Sequence, residues 1–85
     1  MTLKNPMYSA YVDEMSSALL YQTMADVEKD SRIAEVYTRI AATEREHAAH
    51  WKTKAVDAGL TFPEFKPDWR TRTLVRLGKR FGTSM

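Results

Sequence analysis

Residues 43–51 read TEREHAAHW and place Glu44 three positions before His47 in a run without glycine or proline. Side chains three apart share one face of a helix. Extended in both directions at spacings of four and three, that face reads Ile33, Tyr37, Ile40, Glu44, His47, Trp51 and Lys54. The two ionisable groups therefore interrupt an apolar line. A carboxylate in such a position costs several kcal/mol unless a partner neutralises it, a demand that the outward-facing Glu46 does not make.

The helix that carries this pair is bounded by readable signals. Asp30 and Ser31 form a polar break, either able to cap a helix running to Gly59, which is suited to its C-terminal stop. An earlier helix starts at Asn5-Pro6, where Asn accepts from first-turn amides and Pro loses no hydrogen bond, and it continues to Lys29. Its stripe reads Met7, Tyr11, Glu14, Ala18, Tyr21, Ala25 and Glu28, flanked by Val12, Met15 and Leu19. If the chain folds back at Asp30, Glu14 and Glu44 lie about 24 and 21 Å from the bend at about 1.5 Å per residue. The two carboxylates come level, with His47 one turn beyond, and the spacing predicts that all three converge on one buried face. The stretch LTFPEFKPDW from Leu60 has two prolines that indicate an extended connector, after which residues 61–85 end in a short basic helix capped by Asp68. The expected fold is all-α: an antiparallel two-helix hairpin over residues 1–60 and a connector with a basic amphipathic helix over 61–85.

Composition narrows the chemistry. The 85 residues are 44% apolar and contain no cysteine, so disulfides, thiolate ligands and thiol catalysis are excluded. No segment resembles a signal peptide or approaches the roughly 20 apolar residues of a membrane span, and the chain is expected to be soluble. Residues 1–60 hold seven Lys or Arg against nine Asp or Glu, whereas residues 61–85 hold six against two. The basic excess belongs to the tail, and nucleic acid is not an expected partner. No nucleophile elbow or Gly-rich phosphate loop is present. His47 and His50 are three apart, unlike the paired histidines of a zinc protease.

Glu14 with a Glu44-x-x-His47 pair is half the ligand set of a di-iron carboxylate bundle, which takes two single Glu residues and two E-x-x-H pairs from four helices. A symmetric homodimer would supply the other half and complete a four-helix bundle, as a two-helix hairpin too small to bury both of its faces requires. Two copies each of Glu14 and Glu44 carry four negative charges, which two ferrous ions balance. Carboxylate and imidazole ligands suit Fe and Mn and also accept Zn.

The pattern YVDEMSSALLYQTMADVEKD…AEVYTRIAATEREHAAHW resembles the first half of ferritin-like, rubrerythrin-like di-iron domains over residues 7 to about 60. The whole chain, with PDWRTRTLVRLGKRFG, looks closest to the N-terminal ferritin-like domain of bacterial membrane proteins that carry a vacuolar-iron-transporter-like domain, and its ligand spacing is similar to that of encapsulated ferritins. The resemblance implies a ferroxidase that oxidises Fe(II) with O2 or peroxide at a carboxylate-bridged pair, two Fe per dimer, with Zn or Mn as substitutes. Glu14 would be the terminal ligand, Glu44 the bridging ligand and His47 the nitrogen ligand. It also implies a bacterial, cytoplasmic setting, at the membrane face beside an iron-transport domain or inside a protein shell. The membrane-protein family continues with a second helix pair bearing its own Glu and E-x-x-H, which these 85 residues do not include; a second copy of the chain is expected to take its place.

Other polar residues on these faces have simpler readings. Glu28 is expected as a solvated carboxylate at the bend, with an accessory iron-uptake role as the lesser reading. His50 is expected as a partly exposed polar residue or outer donor. Trp51 and the methionines Met7, Met15 and Met24 are read as packing. Tyr21 and Tyr37 lie seven residues from Glu14 and Glu44, where they would pack and hydrogen-bond a carboxylate; Tyr21 is also a candidate electron donor to the site. In the tail, Leu74, Leu77 and Phe81 form an apolar edge beside Arg70, Arg72, Arg76, Lys79 and Arg80, expected to dock on an acidic bundle or lie on an anionic membrane. Three functions follow from these residues: a ferroxidase, a metal-binding or metal-sensing dimerisation module without turnover, and a structural helical assembly domain.

Overall fold

The computed structural model describes residues 5–82; the first four and last three positions of the two expected segments lie outside them. Three helices follow in order, α1 (Pro6–Val27), α2 (Ser31–Asp57) and α3 (Trp69–Phe81), and no strand occurs among the described residues. Each start has the cap the sequence indicates. Asn5 Oδ1 accepts from the Met7 and Tyr8 amides at 2.8 and 3.4 Å, and Asp30 Oδ1 from Arg32 and Ile33 at 2.9 and 3.3 Å. Asp68 Oδ1 accepts from the Thr71 amide at 2.8 Å. These bonds satisfy donors that a helix start leaves without intrahelical partners.

The end of α2 is a Schellman turn. Leu60 donates to the Ala55 carbonyl at 2.8 Å and Gly59 to Val56 at 3.0 Å, with Gly59 at φ +79°. Only glycine takes that left-handed conformation without strain. Leu60 then leads the connector back across the open end of the hairpin. Phe62 lodges against Tyr8 and Tyr11, both with ring centroids 5.2 Å away. The connector forms neither helix nor strand, as its prolines lead one to expect.

The seam between α1 and α2 corrects the sequence reading of α2. Ala41, Ala48 and Ala55, seven apart, are its buried residues, opposed on α1 by Tyr11 and Ala18. The predicted stripe is shifted by about one position: Tyr37, Glu44 and Trp51 are half-buried at its edge, while Ile33, His47 and Lys54 are exposed. Bulky apolar residues drew the sequence line toward themselves, but alanine admits the closest approach of two helix backbones. On α1 the predicted stripe holds at Tyr11 and Ala18.

Helix α3 packs on α1 and not on α2. A Cβ added at Gly78 would come within 3.2 Å of Thr23 Cγ2, and one at Gly82 within 3.9 Å of the Val27 carbonyl, so the two helices run side by side in the same direction. Thr71 and Thr23 are buried. The docking edge is thus made of small residues, and Leu74, Leu77 and Phe81, expected as a docking edge, are exposed. No helix among the described residues is long and apolar enough to cross a membrane.

Ala48→Leu would wedge the seam apart and is expected to lower stability by about 1–3 kcal/mol in chemical denaturation, against less than about 0.5 kcal/mol for the same change at exposed Ala49. Hydrogen bonds from the Thr71 amide and hydroxyl, with the Arg70 charge, hold the Asp68 carboxyl below its ordinary value of 3.8. A lowered value means the cap strengthens α3 above that pH and is lost as pH falls through the folded value. The Thr71 amide resonance should therefore titrate with a midpoint below 3.8, and Asp68→Asn should abolish the step; a midpoint at or above the ordinary value would contradict the cap.

Candidate metal centre

Helix register delivers the three predicted side chains to one place. Tyr21 and Tyr37 meet across the hairpin with ring centroids 6.2 Å apart. Glu14 precedes Tyr21 by seven residues and Glu44 follows Tyr37 by seven, so the Glu pair is level wherever the Tyr pair is. Glu14, Glu44 and His47 each present a ligand atom, all within 4.8 Å of one another. His47 Nδ1 lies 2.7 Å from Glu14 Oε2 and 3.6 Å from Glu44 Oε1. The shorter contact brings the imidazole nitrogen directly against the Glu14 carboxylate.

The convergence holds, but the face is not buried as the apolar line predicts. Side-chain exposure is 24% for Glu14, 20% for Glu44 and 57% for His47. Their side of the hairpin is open, and the same side of α2 presents Ile33 and Val36 to solvent. A groove of about 420 Å³ reaches the cluster, lined by Ala10, Asp13, Glu14, His47, His50 and Trp51. Asp13 was not singled out from sequence; its only signal is its place one residue before Glu14. His50 is exposed and its ring meets Trp51 edge-on at 5.9 Å, while the Lys54 ammonium lies over the Trp51 ring at 5.6 Å.

Two further sequence expectations change. Tyr21 packs on the Tyr37 ring, and among the described residues no hydrogen bond runs from either tyrosine to the carboxylates. Glu28 is half-buried and closes the bend, its Oε2 accepting from the Asp30 amide at 3.1 Å. It lies at the far end of α1 from the cluster, and its position is explained by the turn.

Two carboxylates and an imidazole, each with a donor atom within reach of a common centre, fit a divalent first-row cation of the Mn, Fe or Zn type. Small side-chain rotations would be needed to bring all three donors to the about 2–2.3 Å at which such an ion is held. Around such an ion three donors leave coordination positions unfilled, on the side that is open. Comparison with protein-family models, curated proteins and solved structures found no match.

A cation held by this cluster should stabilise the fold. Mn(II) or Zn(II) at about a hundred times its dissociation constant should add about 2.7 kcal/mol. Thermal melts should show this for the wild type and lose it in Glu14→Ala, Glu44→Ala and His47→Ala; equal stabilisation of all four proteins would place the metal elsewhere.

Proposed function

We propose that the protein is a di-iron carboxylate ferroxidase whose site is completed by a second copy of the chain. The observation that carries this reading is the meeting of Glu14, Glu44 and His47 on the open side of the hairpin, with donor atoms within 4.8 Å. In a twofold dimer the same three residues recur, giving four carboxylates and two imidazoles in a four-helix bundle. The exposed Ile33 and Val36 on that side of α2 supply apolar surface for the partner to cover.

Fe(II) enters this scheme as substrate: two ions give up two electrons to O2 or peroxide and leave as Fe(III). The chain's own groups do the rest. Glu14 and Glu44 offset the cation charge, and His47 adds a nitrogen donor that fixes position. A cation bound here would compete with the direct contact between His47 Nδ1 and Glu14 Oε2, 2.7 Å apart. Half-burial of both carboxylates lowers the effective dielectric at the cluster and strengthens their hold on a doubly charged ion. Tyr21 and Tyr37, in contact on the bend side of the cluster, offer a phenol for electron donation.

Anaerobic loading with Fe(II) followed by air should give rapid absorbance growth of ferric species. Glu44→Ala and His47→Ala should slow it by more than the roughly 10- to 100-fold that an outer-shell change costs. Sedimentation should show two chains per particle in the metal-loaded state. An oxidation rate equal to that of Glu44→Ala would refute the enzyme, and metal-dependent dimerisation without oxygen uptake would leave a metal-binding dimerisation module.

A further inference from the structure

The way α3 is attached leaves its most amphipathic surface free. It is held to α1 through small residues, with Thr71 buried and Gly78 against Thr23. Leu74, Leu77 and Phe81 follow at spacings of three and four and so share one face, at 53, 46 and 48% exposure. Trp69, at the first turn, is 64% exposed. The same 13-residue helix holds Arg70, Arg72, Arg76, Lys79 and Arg80 and no acidic residue. Two of these cations lie over exposed rings, Arg70 over Trp69 and Arg80 over Phe81, each at 5.5 Å from the ring centre.

We propose that α3 binds the surface of an anionic lipid bilayer, with Leu74, Leu77 and Phe81 entering the headgroup boundary, Trp69 flanking them at the start of the helix and the cations contacting lipid phosphates. Charge complementarity selects this occupant. A helix with a net charge of +5, an apolar face and no anion matches a dense sheet of anionic headgroups. Residues 1–60 have a net charge of −2, so electrostatics turns α3, not the hairpin, toward such a surface. Ring-stacked arginines are amphipathic pairs whose rings can lie at the depth of the glycerol backbone while the guanidinium groups stay at the phosphates. A short helix lying in the interface needs none of the length that a span requires.

Co-sedimentation of the full chain with vesicles tests this. The chain should bind vesicles of phosphatidylcholine mixed with phosphatidylserine, fail to bind phosphatidylcholine alone, and be released by salt. Arg76→Glu and Arg80→Glu should each weaken partition by at least about fivefold. The triple change Leu74→Ser, Leu77→Ser, Phe81→Ser should abolish binding while circular dichroism stays helical, since these side chains are exposed. Glu44→Ala should bind vesicles like the wild type, so this proposal and the metal site fail independently. Equal binding to neutral and anionic vesicles, binding retained in the triple variant, or loss of a chain–chain contact in that variant without any vesicle binding would overturn it.

Discussion

The distance between α1 and α2 governs the rest of the molecule. Alanines at 18, 41, 48 and 55 let the two backbones approach closely, and only at close approach does a short Glu side chain from one helix reach an imidazole on the other at 2.7 Å. Helices packed through leucine-sized residues sit farther apart within the roughly 8–10 Å range of helix pairs. The same carboxylates would then face water singly and carry no common charge problem. Apolar seam and polar cluster are two aspects of one spacing.

Helix α1 is central to the arrangement. Among its residues 6–27 only Pro6, Ser9, Asp13 and Asp26 are exposed, because α2 and the connector cover one side and α3 another. This explains why its apolar residues show little one-sided bias: a helix contacted from several directions needs apolar or small groups around most of its girth. Small side chains at Ala18 and Thr23 serve neighbours on two sides. Glu14 is then a charged group on a largely covered helix, placed where the cover is incomplete.

Much of this was legible in the chain itself. Asn5, Asp30 and Asp68 are caps by residue type, Gly59 stops α2 for a backbone reason, and counting from Asp30 brings Glu14 and Glu44 level. What sequence could not give was which of two adjacent lines on α2 faces α1. Hydrophobicity favours Ile33, Ile40 and Trp51, whereas contact distance favours alanine, and periodicity alone does not rank them. The exposure of His47 depends on the neighbouring helix, and the small-residue docking of α3 depends on a contact with Thr23 that no local pattern announces. The caps concern one helix each and need no such knowledge.

The bend between α1 and α2 spans only Glu28, Lys29 and Asp30, with the Glu28 carboxylate bonded to the Asp30 amide and the Asp30 carboxylate bonded to the amides of α2. Two acids flanking Lys29 thereby lock the rotational phase of the second helix to that of the first. Every residue inserted between that lock and Glu44 would spin the E-x-x-H face by about 100°. Length variation in this chain is thus confined by mechanics to the connector, where slack can be absorbed without turning any donor away from its neighbours.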